Sequence, residues 1–236
     1  MRFLLGVMHP RRLDYFLNSI KNIDYIDIAL AKNMKIIDAL TSLRDFTLEN
    51  GYDYLILTSD DTVIPYLAPA KVKCSLRMLR FPKILTGYSR ISTKTPFVNL
   101  VEKIPEDLEP NKYYPANIYM HISKVFDYLF KGRYIIPVWF VGWSLTALHK
   151  SVLEEWKPRA WMTWHVQRGD EWSAACDMAF SYDFSDVTKL ADLTIYVPHI
   201  PTGRKGLLVG KEPPELEYIK KKENKCSAHA THRPSG

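Results

Sequence analysis

The chain has 236 residues, of which 47% are hydrophobic and 25% charged, and its formal net charge is +6. That length and apolar content allow one substantial hydrophobic core. The three cysteines are odd in number and have no CxxC spacing, which argues against a disulfide framework and against a structural zinc site.

Membrane insertion is not indicated by the sequence. The amino-terminal apolar run is too short for a signal peptide. The most apolar stretch, YIIPVWFVGW at 134–143, falls well below the ~20 residues that a membrane span needs. We therefore expect a soluble, cytoplasmic protein in a reducing compartment.

Strand-like and helix-like patterns alternate along the first sixty residues. Short apolar runs predict strands over 2–8, 25–31 and 52–58, and amphipathic periodicity predicts helices over 10–20 and 33–51. Strands joined by helices require right-handed crossovers, which produce a largely parallel sheet.

The second half of the chain continues the alternation. Strands are predicted over 83–88, 137–150 and 192–200, and helices over 119–132, 151–158 and 169–182, the last with Asp170 as its N-cap. We expect a single α/β domain over 1–210, with a central, mostly parallel mixed sheet flanked by helices. Residues 211–236 are rich in Lys, Glu and Pro, which predicts a flexible, disordered tail.

A basic segment runs from Thr62 to Val101. It contains no Asp or Glu, whereas seven basic residues fall in it: Lys71, Lys73, Arg77, Arg80, Lys83, Arg90 and Lys94. Charge of one sign predicts a surface that meets an anionic partner such as phosphates, an acidic acceptor or a membrane, so peripheral membrane contact is a further expectation. A solvated basic face without a partner is the alternative.

Charged side chains follow two of the predicted strands. Asp60 and Asp61 end the third strand, and His9, Arg11 and Arg12 follow the first. In an open α/β sheet, ligands bind beyond the carboxyl ends of the strands, so both groups are placed where a ligand would be. Adjacent carboxylates repel each other, and a cation bound with its phosphates would offset that repulsion. A solvated turn is the alternative interpretation of the two acids.

The order of several segments resembles a known enzyme family. The segments are RFLLGVM, YIDIALA, LILTSDDTVIP, FVGWSLTALHKSVLEEW, CDMAFSYDF and TIYVPHI, which together span about residues 1–200. They resemble the nucleotide-sugar-dependent glycosyltransferases of the GT-A (Rossmann-like) fold, most of all the large inverting family two. The resemblance implies transfer of a sugar from a nucleotide-diphosphate sugar to an unknown acceptor, whether glycan, protein or lipid-linked, with Mn²⁺ or Mg²⁺ as cofactor.

The resemblance also implies roles for individual residues. Asp60, with Asp61 beside it, matches the acidic motif that binds the metal and the sugar nucleotide, and His199 matches a histidine that completes the metal site in some members. Gly142 and Trp143 match a segment that shapes the donor and acceptor pocket.

The catalytic base is assigned in the same way. Asp177 resembles the acid that accepts the proton of the attacking hydroxyl, and Asp170 and Glu171 are alternatives in the same predicted helix. A helix cap is the other interpretation of Asp170, and a surface acid that of Asp177.

Two departures from the family pattern leave the nucleotide open. Thr58 occupies the first acidic position of the motif, and the second strand ends in AKN at 31–33 instead of in an acid.

Two other functions remain as alternatives. A nucleotidyltransferase typically has a Gly-rich phosphate loop, for which GVMHPRR is a poor match. A basic nucleic-acid-binding module lacks its usual sequence signatures, so no nucleic acid is expected as a partner.

Overall fold

The computed structural model describes residues 1–9, 14–92, 95–109, 116–165, 171–199 and 213–221. Over these residues the chain forms a mixed α/β structure, in which helices flank one sheet of eight strands and two further pairs of strands lie outside it. None of the helices in this part of the chain is both long and apolar enough to cross a membrane.

Each predicted strand run overlaps at least one observed strand, but the run at 137–150 is divided among three strands, and the strands at 100–101, 162–165, 171–174 and 215–219 were not predicted. The observed strands are β1 (Phe3–His9), β2 (Asp27–Lys32), β3 (Tyr54–Ser59), β4 (Ile84–Tyr88), β5 (Leu100–Val101), β6 (Ile135–Val138), β7 (Phe140–Val141), β8 (Ser144–His149), β9 (Met162–His165), β10 (Glu171–Ala174), β11 (Lys189–Tyr196) and β12 (Glu215–Ile219). The α-helices are α1 (Asp14–Lys21), α2 (Ile36–Glu49), α3 (Ala68–Met78), α4 (Ile122–Phe130), α5 (Lys150–Glu155) and α6 (Cys176–Asp183), and a 3₁₀ turn covers Ala116–Ile118.

The large sheet is mixed, as predicted, but it is less parallel than expected, because four of its seven strand pairings are antiparallel. Its strand order is β12-β2-β1-β3-β8-β4-β11-β6. β1 is parallel to β2 and β3, and β4 is parallel to β11, whereas β8 is antiparallel to both β3 and β4. Consequently β1, β2, β3, β4 and β11 all point the same way, and their carboxyl ends meet at one edge of the sheet.

Both faces of the sheet are covered by apolar side chains. Along β3, Leu55 and Leu57 face the cluster that α2 and α5 cover, while Tyr54 and Ile56 face the cluster that α3 covers. A strand buried on both faces needs apolar residues at every position, which is why β3 is a continuous apolar run.

The predicted helix over 169–182 is wrong in its first half. Glu171–Ala174 forms β10, which pairs antiparallel with β9, and α6 begins only at Cys176. Ala175, in a left-handed conformation with φ 54°, separates the two elements. The predicted N-cap at Asp170 is therefore wrong, because α6 begins six positions later in the sequence, and Asp170 itself lies outside the described residues.

The prediction of a disordered tail from 211 onward also differs from the structure. Glu215–Ile219 pairs antiparallel with β2 as an edge strand. Tyr218 and Tyr52 share a hydrogen-bonding contact with Asp27, and Lys32 pairs with Glu217. These cross-strand contacts give an otherwise polar segment a reason to be ordered.

Candidate functional site

The carboxyl edge of the sheet brings together residues that are far apart in the sequence. β3 ends there and is followed by Asp60 and Asp61, and β11 ends there and is followed by Pro198 and His199. β8 runs in the opposite direction, so it begins at this edge, directly after Gly142 and Trp143. The topology therefore collects at one edge several of the residues that the sequence placed in a site.

The two aspartates differ in their environment. Asp60 is 1% exposed, and its backbone N–H donates to the Met8 carbonyl at 3.0 Å, which continues the pairing of β3 with β1. The Asp61 side chain is 19% exposed and accepts a hydrogen bond from the Ser59 hydroxyl through Oδ1. Asp60 is thus enclosed by the protein, whereas Asp61 reaches the surface.

His199 contacts Asp61 directly. Its Nε2 lies 3.2 Å from Asp61 Oδ2. The backbone holds this pair in place, because Thr62 and His199 form an isolated antiparallel bridge and the Val63 N–H donates to the Pro198 carbonyl at 2.9 Å. His199 Nδ1 is buried and has no hydrogen-bond partner among the described residues.

The pair fits a hexacoordinate divalent cation. Two ligands at about 2.1 Å from an octahedral ion and at right angles to each other are about 3 Å apart, close to the 3.2 Å between His199 Nε2 and Asp61 Oδ2. No cluster of three or more His, Cys, Asp or Glu suited to a metal occurs in the described part of the chain. The arrangement suits an ion that takes one or two protein ligands and completes its shell with phosphates and water.

Gly142 belongs to a tight polar junction at the same edge. A Cβ at this position would clash with Asn99 Nδ2, so a side chain there requires Asn99 to move. Asn99 is itself fixed: its Nδ2 donates to Ser144 Oγ at 2.8 Å, and its Oδ1 accepts from the Ser89 N–H at 2.7 Å. The Ser89 and Ser144 hydroxyls are 2.7 Å apart.

Trp143 lies among aromatic rings. Its ring centroid is 5.7 Å from that of Trp156 and 5.3 Å from that of Phe180, and the residue is 8% exposed. Trp143 Nε1 is buried without a hydrogen-bond partner among the described residues. The ring packs into the core and supports the loop before β8, so its faces are not free for a sugar to stack on.

Asp177 lies in the first turn of α6. Its Oδ1 accepts a hydrogen bond from the Met178 N–H at 3.0 Å. The residue as a whole is partly exposed, but protein surrounds the carboxyl group, and this desolvation raises its pKa from 3.8 to about 6. A carboxylate with such a pKa is a stronger proton acceptor than an ordinary surface aspartate.

The other expected site residues are described less fully. His9 ends β1 opposite Lys32, and Glu171 pairs with His165 in the hairpin of β9 and β10. The side chains of His9 and Glu171 are outside what the structure describes. Arg11 and Arg12 lie outside the described residues altogether, as does Asp170.

Three polar residues of this edge were missed by the sequence analysis: Ser89, Asn99 and Ser144. Asn99 lies in a segment with no clear periodicity, and its partner Ser144 is 45 positions away. A single sequence carries no signal for such a pair, because each residue alone is typical of a loop or a strand end.

Comparison with known proteins gives little that bears on this edge. No family model matches the chain, and no curated protein matches it. One similar solved structure is the crystal structure of A197 from STIV, with 18% identity over 81% of each chain and a TM-score of 0.45. A similarity of that size carries no argument about fold or activity.

Proposed function

We propose that the protein is a divalent-metal-dependent glycosyltransferase that moves a sugar from a nucleotide-diphosphate donor to an acceptor hydroxyl. The observation that carries the proposal is the contact of Asp61 with His199 at the carboxyl edge of the sheet. A carboxylate and an imidazole from separate strand ends, held by backbone pairing, are suited to bind a cation with its phosphates.

The fold supports the proposal in its coarser features. Helices flank a mixed sheet, and the acids follow a largely buried strand that is parallel to β1 and ends at the carboxyl edge. We assign the GT-A fold on this basis together with the resemblance of the motifs. In this assignment the donor lies over the edge formed by the ends of β1, β3 and β11.

Asp61 and His199 would hold the metal, with the enclosed Asp60 beside them. A bound Mn²⁺ or Mg²⁺ supplies positive charge where negative charge develops on the departing diphosphate. The imidazole nitrogen favours Mn²⁺, since Mg²⁺ strongly prefers oxygen ligands. The Ser59 hydroxyl, which donates to Asp61 Oδ1, fixes one carboxylate oxygen and leaves the other directed at His199.

Asp177 is the proposed proton acceptor. In the transfer, the acceptor oxygen forms a bond to the anomeric carbon, the bond from that carbon to the diphosphate breaks, and the hydroxyl proton moves to the Asp177 carboxylate. A pKa raised to about 6 keeps the carboxylate ionised at neutral pH and improves it as a base. Phe180, one turn further along α6, contacts Trp143 and so connects this helix with the loop before β8.

The test is a thermal-shift screen of nucleoside diphosphates and their sugars with and without Mn²⁺. Ligand binding to the folded state raises the melting temperature by mass action, so we expect stabilisation that needs both nucleotide and metal. Asp61→Asn should abolish it, whereas Glu49→Gln, at the exposed end of α2 that leads into the start of β3, should not. Equal stabilisation of both variants, or none of the wild type, would contradict the proposal.

The identity of the released product separates the proposal from the alternative enzyme class. A glycosyltransferase releases the nucleoside diphosphate, whereas a nucleotidyltransferase releases pyrophosphate. Detection of pyrophosphate as the product would favour the alternative.

A further inference from the structure

Exposed apolar side chains lie at both ends of the outward face of α3. Leu67, just before the helix, is 59% exposed, and Met78 at its end is 77% exposed. Helical spacing places Leu67, Lys71, Cys74 and Met78 on one outward stripe. The opposite side of the helix is also apolar, with Val72 and Leu76 fully buried, among other residues, against the sheet.

The sheet covers one side of α3, whereas the apolar residues on its other side are exposed. The buried side accounts for the packing of α3 on the sheet, but it does not account for exposed Leu67 and Met78. Exposed apolar residues grouped on one face mark an interaction surface more often than scattered single ones do.

The same surface carries several basic side chains. Lys71, Arg77 and Arg80 lie along or beside the stripe, within a stretch of the chain that has no acid between 62 and 101. Asp192 on the neighbouring β11 is buried, where it accepts hydrogen bonds from the Ser75 hydroxyl and from Thr194. The carboxylate is thus turned into the protein, and the outer surface keeps its basic character.

Aromatic residues lie at both ends of the helix. Tyr66 is 49% exposed and Phe81 is 41% exposed. Arg80 and Phe81 both have positive φ values, 58° and 64°, a conformation that glycine adopts at the lowest cost. The turn is closed by the Phe81 N–H, which donates to the Leu76 carbonyl at 2.7 Å. The chain therefore places a large aromatic and an arginine at positions where glycine would be less strained.

We propose that this face, made of Tyr66, Leu67, Lys71, Cys74, Arg77, Met78, Arg80 and Phe81, docks on an anionic lipid bilayer. Basic side chains attract the negatively charged headgroups, and aliphatic and aromatic side chains enter the boundary between headgroups and acyl chains. The 11 residues of α3 give it a length of about 16 Å, so it lies flat on the surface. The proposal does not depend on the enzymatic activity.

A bilayer explains the composition of the face better than a nucleic acid does. Phosphate backbones match the Lys and Arg residues, and bases stack on aromatic rings, but neither complements the two exposed aliphatic chains of Leu67 and Met78. An acyl-chain boundary accepts these side chains and the basic ones together.

The experiment is co-sedimentation of the full chain with vesicles of phosphatidylcholine and with vesicles in which phosphatidylserine replaces part of it. We expect binding to the anionic vesicles only, weakened by salt. Leu67→Ser with Met78→Ser should weaken binding about tenfold or more, and each of Arg77→Gln and Arg80→Gln about fivefold. Circular dichroism checks that these surface variants remain folded.

The matched control is Phe130→Ser, on α4, where the residue is 89% exposed. It removes a comparable exposed apolar side chain from another surface, and binding should not change. Equal binding to neutral vesicles, an equal loss with Phe130→Ser, or tighter binding to duplex DNA or RNA than to anionic vesicles would each overturn the proposal.

Discussion

Trp143 packs against Phe180 with their ring centroids 5.3 Å apart, and this contact joins the loop before β8 to α6. Phe180 also contacts Trp156 and Phe184, and it is fully buried. The helix that carries Asp177 is therefore positioned by an aromatic cluster, at the edge of the sheet where Gly142 and Trp143 lie.

Removal of the Phe180 ring from this aromatic cluster should lower the stability of the protein. Phe180→Ala removes a fully buried ring, and we expect the free energy of unfolding to fall by about 3 to 5 kcal/mol. Denaturant unfolding measures the change. Phe130→Ala, at an exposed position on α4, should alter stability by no more than about 0.5 kcal/mol. Similar effects of the two substitutions would show that the cluster is not a unit of the core.

Asp177 should destabilise the protein at neutral pH. Its pKa is about 6 in the folded chain against an ordinary value of 3.8, so between these values the folded state binds more protons than the unfolded state. Its contribution to stability is thus lost as the pH rises through that window. Asp177→Asn should raise the free energy of unfolding near pH 7 by up to about 3 kcal/mol, and should bring little gain near pH 4.

The same substitution should abolish the proposed transfer, since an amide accepts no proton from the acceptor hydroxyl. Urea unfolding at several pH values gives the stability profile, and donor consumption gives the activity. If Asp177→Asn changes the free energy of unfolding by the same amount at neutral and at acid pH, the Asp177 carboxyl group is exposed to water, which would contradict the prediction.

Gly142→Ala should disturb the polar junction with Asn99. The added Cβ would clash with Asn99 Nδ2, which is held by its hydrogen bond to Ser144. We expect a cost of about 1 to 3 kcal/mol from overpacking. In the double variant, Asn99→Ala should restore part of the lost stability. A double-mutant cycle by thermal unfolding measures this coupling between the two residues. Strictly additive effects would mean that the two residues do not meet.

The edge strand β12 should contribute to the stability of the domain. A chain that ends at 212 loses β12 and exposes the edge of β2, so we expect a lower melting temperature and self-association. A chain that ends at 221 keeps β12 and should melt like the full protein. Light scattering and thermal unfolding compare the two, and equal behaviour would show that residues 213–221 do not support the sheet.

The central strands β1 and β3 of the large sheet could be predicted from the sequence because burial on both faces leaves a continuous apolar run. The runs at 2–8 and 52–58 match β1 and β3 to within about two residues. The position of Asp60 and Asp61 at the carboxyl edge follows from the same reasoning. Topology then brings His199 to that edge, because β11 runs parallel to β4.

Other features depend on contacts that no local pattern records. The helical pattern over 169–182 fails because Ala175 adopts a left-handed conformation and residues 171–174 pair with β9 instead. The predicted helix over 151–158 begins one residue earlier, and its N-cap is His149, whose Nδ1 accepts from the Ser151 N–H. In β12, the alternation of Glu215, Leu216 and Glu217 was a strand signal that the surrounding Lys-rich composition obscured.

A divalent cation between Asp61 and His199 can be located in a crystal structure with Mn²⁺ and a nucleoside diphosphate, by the anomalous signal of manganese. We predict an anomalous peak at about 2.0 to 2.3 Å from both Asp61 Oδ2 and His199 Nε2, with diphosphate oxygens on the open side of the ion. A bound nucleotide with no peak at this pair, or with manganese held at another place in the chain, would contradict it.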